Sequence, residues 1–247
     1  DQLLSHHGLT FGGLVTSLKM CQSVMLSCFD ALGQYAREQG MTRMLYKSIP
    51  YIHCDAPAEE DLYALFRFNA RLVRRDVSSV IELANPIRYR TLKKRRVKKA
   101  AATGVHYGEA KLTQFWPVLE GVLASQHGVK PVHTVEEIQL LADRFPERIR
   151  CVGGFIDEEL VAGLLLFLNR GVAHTQYIAA SDGGRDNGAL DLVMDRCIHR
   201  CQQQDFRYFS FGISTEQAGR FLNEGLIFHK EGFGGRAVCY DHYEMNL

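Results

Sequence analysis

The chain has 247 residues, 46% apolar and 23% charged, which is enough for one large domain or two ordinary ones with a buried core. A formal net charge of +1 excludes a whole-molecule field that would collect nucleic acid or an anionic membrane, so any such partner needs a local patch. The longest apolar run, Leu160 to Leu168, is too short to cross a bilayer and reads as a strand.

Leu9 to Val15 has strand-like residues broken by Gly12 and Gly13, a pattern that predicts a bulge or a close backbone approach. Met20, Val24, Leu26, Phe29, Leu32 and Tyr35 recur near helical spacing, with Gly40 as the stop, and Arg43 to Ile49 follows as a strand. Ala58 to Arg71 reads as an amphipathic helix opened by Glu59, Glu60 and Asp61, whose charges suit the positive end of the helix dipole. Val77 to Leu83 is a strand candidate. Asn85-Pro86 then breaks the pattern, which places a domain boundary there: residues 1–84 and residues 85–247.

Arg88 to Lys99 carries eight basic side chains and no acidic one, on a helix that runs on to Ala102. Such a helix is either a solvated face or a seat for an anionic partner such as RNA or membrane lipid. Helices are expected at Leu112 to Ser125 and Val135 to Phe145, divided by His127-Gly128 and Pro131. Ile149 to Ile156, Leu160 to Asn169 and Val172 to Ala180 then predict an antiparallel meander, followed by a helix over Ala189 to Gln204 and a strand over Phe206 to Ile213. The strand, helix, strand order of 9–49 and of 172–213 suggests an internal duplication. Because no meander precedes Leu9, the first half is expected to be truncated at its beginning, upstream of Asp1.

After Ile213, Ser214 or Thr215 is expected to cap a helix with Glu216 in its first turn and Gly225 at its end. From Ile227 an extended path is predicted that carries Lys230 beside Gly232, Gly234 and Gly235. Between the strand ending at Ala180 and the helix from Ala189, Gly183, Gly184 and Gly188 can turn backbone N–H groups toward an anion, and Arg185 can add donors. The seven cysteines are odd in number and irregular in spacing, so free thiols and a cytoplasmic location are expected. Cys197 and Cys201 lack a second ligand pair, and no metal site is expected.

The meander, glycine loop, long helix and strand resemble the GNAT acyltransferase fold, whose pyrophosphate pattern is Gln or Arg, two residues, Gly, one residue, then Gly or Ala. Arg185 and Gly188 match it, and Leu190 stands at the small-residue position. RTLKKRRVKKAAATGV, His127-Gly128 with Pro131, HTQYIAAS and FGISTEQAGRFLNEGLIFHKEGFGGR together are similar to the Fem-type branch, with two GNAT-like domains in tandem. This resemblance implies an α/β (α+β) architecture with mixed, mostly antiparallel sheets flanked by helices. It implies transfer of an acyl group from acetyl-CoA or another acyl-CoA to an amine on a small molecule, amino sugar or cell-wall precursor. The alternative donor is aminoacyl-tRNA, held through Arg88 to Lys99, and a further alternative is a non-catalytic binding protein on the same fold.

By the same resemblance, Lys230 and Phe233 occupy a lysine–phenylalanine pattern at the reaction centre, with His127 and Arg236 also toward the substrate. Coenzyme A would lie along Ile178, Ala179, Gly183, Gly184, Arg185, Gly188 and Ala189. Acyl transfer builds negative charge on a carbonyl oxygen, which a fixed lysine stabilises. An amine acceptor must lose a proton, and His174, His127 and Glu216 are the candidates to take it, with Tyr177 as a donor to the leaving group.

Overall fold

A computed structural model of the chain describes residues 1–6 and 8–247; His7 and the side chain of His127 lie outside the description. In chain order the elements are β1 (Gln2–Leu4), α1 (Gln22–Glu38), β2 (Arg43–Lys47), α2 (Glu60–Arg67), β3 (Arg71–Glu82), α3 (Thr91–Ala102) and β4 (His106–Glu109). They continue with α4 (Leu112–His127), α5 (Val135–Arg144), β5 (Ile149–Ile156), β6 (Glu159–Asn169), β7 (Val172–Ala180), α6 (Asp182–Asn187) and α7 (Ala189–Gln203). The last are β8 (Tyr208–Ile213), β9 (Thr215–Glu216), β10 (Phe221–Leu222), α8 (Glu224–Glu231) and β11 (Arg236–Asn246).

The chain divides into two compact units. One is Asp1–Ser78 with Ile213–Glu224 and Ala237–Leu247, and the other is Ser79–Gly212 with Gly225–Arg236. The boundary read at residue 84 therefore stands six positions beyond the first crossing, while two later segments belong with the first unit.

In the first unit β1 runs parallel to β2, and β11 pairs antiparallel with β2 from His242↔Lys47 to Asn246↔Arg43. Met25 and Phe29 of α1, Met44 and Tyr46 of β2, Leu65 of α2 and Met245 of β11 form its core. α1 turns Met25, Phe29, Gly33 and Ala36 inward, so of the apolar positions read from the sequence Phe29 is in the core while Val24 and Tyr35 face outward. The strand expected over Leu9 to Val15 is absent. Side chains hold that stretch instead: Lys47 Nζ donates to the Leu9 carbonyl at 2.6 Å, and Tyr46 Oη accepts the Leu14 N–H at 2.9 Å.

The helix expected after Ser214 is also corrected. Thr215–Glu216 and Phe221–Leu222 pair as a small antiparallel hairpin whose turn puts Gln217, Ala218 and Gly219 at positive φ. The helix comes later, as α8, so Gly225 lies near its start, not its end, and Lys230 is helical, not extended. Propensity at Thr215 gave way to cross-strand pairing, which local sequence does not reveal.

In the second unit β4, β5, β6 and β7 form the antiparallel meander, and β8 joins parallel to β7, in the order β8-β7-β6-β5-β4. Leu164, Leu166 and Ala173 pack under Leu192, Val193 and Cys197 of α7. Leu165 and Ala179, with Cys151 of β5, pack under Phe115, Trp116 and Leu119 of α4 and Ile138 of α5. Burial on both faces explains why β6 reads as a nearly unbroken apolar run. All seven cysteines are free thiols. Among the described residues, no helix is long and apolar enough to cross a membrane, and no group of three or more His, Cys, Asp or Glu could hold a metal.

Candidate active site

The site grows from the point where two parallel strands part. Pairing between β7 and β8 covers Val172↔Tyr208, Ala173↔Phe209 and His174↔Ser210, whereas β7 stays paired with β6 as far as Ala180. The register between β6 and β7 steps from Leu166↔Thr175 to Leu165↔Tyr177, which makes Gln176 the extra residue of a β-bulge. A bulge bends its strand, and here it does so where β7 leaves β8. Ile178 and Ala179, expected along the donor path, lie on the stretch beyond it.

His174 and Ser210 face each other at the last shared pair, with His174 Nδ1 and Ser210 Oγ at 3.1 Å. Gly212 follows on β8 at φ +74, and a Cβ placed there would stand 3.4 Å from His174 Cε1, so its backbone runs close beside the imidazole. The Gly212 carbonyl accepts a hydrogen bond from Lys230 Nζ at 2.9 Å. Lys230 sits near the C-terminal end of α8 with 2% of its surface exposed, and burial holds its ammonium well below the ordinary lysine value, at about 7. Lys230, Gly212, His174 and Ser210 are thus brought together from α8, β7 and β8.

Phe233 is not at an open surface. It is fully buried, edge-on to Tyr89 and stacked on Phe211, so it fixes the end of α8 in the core. Tyr177 lies on the α4 side of the sheet, its hydroxyl 2.8 Å from His133 Nδ1 and accepting the His133 N–H, with Trp116 edge-on. Glu216 is exposed on the β9–β10 hairpin of the first unit, accepting from Asn223 Nδ2. Arg236 is exposed at the start of β11. His127 closes α4, but its side chain is outside the described residues.

The glycine loop is built differently from an open turn. Ser181 caps α6 by accepting the Gly184 N–H, and the position of a Gly184 Cβ is taken by the Val161 carbonyl. Gly188 adopts φ +75 between α6 and α7. Arg185 pairs with Asp182, and Ala189 is buried in the core.

The basic helix α3 lies against this region. Lys93 is buried, 2.5 Å from Asp191 and 2.8 Å from His229 Nδ1, and Arg96 Nε approaches the same carboxylate at 2.6 Å. Desolvation lowers the Lys93 value, against the pull of Asp191. Burial, with Lys93 nearby, pushes His229 down to about 4, so it is neutral at pH 7. By contrast Arg88, Lys94, Arg95 and Lys98 are exposed. Asp191, Ser210 and His133 contact the candidate residues but carry no motif in the sequence; Asp191 is one of two acids, with Asp195, in an apolar-periodic helix.

Residues 88–220 match the family described as acetyltransferase (GNAT) domain. No curated protein matches the sequence. Among solved structures, FemX is similar with a TM-score of 0.70 at 9% identity, over 92% of this chain and 77% of that one. L-PGS from Bacillus licheniformis follows with 0.65 at 14%, over 90% and 73%. The C-terminal domain of a putative lysylphosphatidylglycerol synthetase from Agrobacterium fabrum gives 0.64 at 12%, over 95% and 75%. At these identities the likeness is one of fold.

Proposed function

Because the chain belongs to the acetyltransferase (GNAT) domain family and has the fold of acyl and aminoacyl transferases, we propose that it moves an acyl or aminoacyl group onto an amine acceptor at the Lys230–His174 cluster. The single observation that carries this reading is a buried lysine held at the parting of two parallel strands, 2.9 Å from the Gly212 carbonyl. The unpaired edge of β7 beyond His174 offers backbone groups to an extended acyl arm. The two-domain reading with a boundary near residue 84 remains part of this proposal.

In the proposed reaction the acceptor nitrogen attacks the donor carbonyl carbon, a C–N bond forms, and negative charge gathers on the carbonyl oxygen. The Lys230 ammonium stabilises that charge, an effect strengthened by its exclusion from water. His174, whose Nδ1 lies 3.1 Å from Ser210 Oγ, takes the proton lost by the amine. The bond to the leaving group then breaks, and the leaving group departs with the proton that His174 took from the amine. Tyr177 stands farther along the same strand, with His133 orienting its hydroxyl.

Among the residues assigned to coenzyme A by resemblance, Gly184 packs on the Val161 carbonyl, Gly188 on the Arg96 carbonyl, and Arg185 pairs with Asp182, which supports no particular donor. A second reading, aminoacyl-tRNA as donor, is favoured by Arg88, Lys94, Arg95 and Lys98, which project to solvent with no carboxylate partner among the described residues. Each phosphate contact adds a counterion-release term, so tRNA binding should weaken steeply with salt. Lys94→Glu/Arg95→Glu/Lys98→Glu should abolish it while leaving the internally bonded Lys93 and Arg96 in place.

A mass-spectrometric screen of amine acceptors with acyl-CoA and aminoacyl-tRNA donors tests the function. Lys230→Met should lower the transfer rate by roughly a hundredfold or more. A variant as fast as the parent, or no product with any donor, would sink the reading.

A further inference from the structure

We infer that α3 itself fills the place at Gly188 where the resemblance puts the diphosphate of coenzyme A, so that this helix is a specificity element excluding diphosphate-anchored donors. The inference rests on the acyl-transfer reading and deepens it on the donor side.

The contact is direct. A Cβ built on Gly188 would stand 3.1 Å from the Arg96 carbonyl oxygen and 3.7 Å from Ala100 Cβ, so the α3 backbone lies on the turn. Two bonds fasten it there: Arg96 Nη2 donates to the Arg185 carbonyl at 2.9 Å, and Lys99 Nζ to the Asp186 carbonyl at 3.0 Å. Asp191, in the first turn of α7, is 2% exposed and holds both Lys93 and Arg96. A diphosphate entering here would meet the Arg96 carbonyl oxygen where it needs the Gly188 backbone, and Arg96 and Lys99 are already engaged with the loop carbonyls, so α3 would have to be displaced. Leu190, at the position where the pattern has glycine or alanine, is partly buried against the core.

The sequence makes this closure costly unless it has a use. Four cations, Lys93 to Arg96, open α3 at the end where the helix dipole is already positive, a placement that destabilises an isolated helix. Asp191 relieves two of them by drawing them inward, which converts an unfavourable helix start into a clasp on the loop.

The test titrates the full chain with coenzyme A by calorimetry up to about 1 mM, a thousandfold above a micromolar site, and follows hydrogen exchange on the same samples. The wild type should show no saturable heat, with amides of 96–102 and 185–191 protected in the absence of ligand. Arg96→Ala/Lys99→Ala should exchange roughly tenfold faster over both segments. Saturable coenzyme A binding by the wild type, or α3 amides that exchange as freely as in the double variant, overturns the inference. Neither result touches the transferase reading, which fails on a blank donor screen.

Discussion

Lys230 keeps an ammonium-bearing side chain at 2% exposure, and taking such a group out of water disfavours its charged form. Its value of about 7 in the folded chain lies below the 10.5 of an open lysine. Between about pH 7 and 10.5 the unfolded chain holds this proton and the folded chain does not, so stability rises with pH across that window. Below pH 7 the folded state carries the full penalty, on the order of a few kcal/mol. Lys230→Met should therefore raise the melting temperature at pH 6 and flatten the rise from pH 7 to 10, even as transfer is lost. Calorimetry at stepped pH decides it: superimposable profiles would mean that the charge is not held out of water. The lysine was legible as a candidate because glycines and aromatics crowd around it in sequence. Its helical setting was not, since the hairpin before it forms by pairing instead of by local preference.

At the scale of an element, α3 has two faces that composition alone does not separate. Lys93, Arg96 and Lys99 bond to other elements, whereas Lys94, Arg95 and Lys98 point to solvent. Removing one partner of a buried ion pair strands the other, so Asp191→Ala should destabilise by about 3–5 kcal/mol. Arg95→Gln on the outer face should stay within about 0.5 kcal/mol. Urea unfolding of the two variants measures both; equal shifts would refute the division. Lys93→Met/Asp191→Leu should recover most of the loss, because apolar groups of similar volume need no partner. The basic run was plain in the sequence, but its acid lies 98 residues away, and only the packing of α3 on α7 joins them.

For the whole molecule, each unit holds a partly buried histidine that desolvation lowers to about 4, His53 in the first and His229 in the second, and the buried His242 of the first unit is lowered as well. As pH falls from 6.5 to 4 the unfolded chain takes up protons that the folded one refuses, so stability declines across that window. Circular dichroism from pH 7 to 4 should show acid unfolding that His229→Phe, together with His53→Phe, shifts to lower pH; an unmoved midpoint would assign it to other groups. The sequence by itself determined the meander, the long helices and the absence of a disulfide framework, because periodicity, caps and cysteine spacing are local and survive any arrangement of the chain. Tertiary structure alone decided which groups meet: Gly212 beside His174, Asp191 under the basic helix, the last strand in the first unit. These depend on backbone approach and on buried charges finding partners across long separations, and neither leaves a period in the sequence.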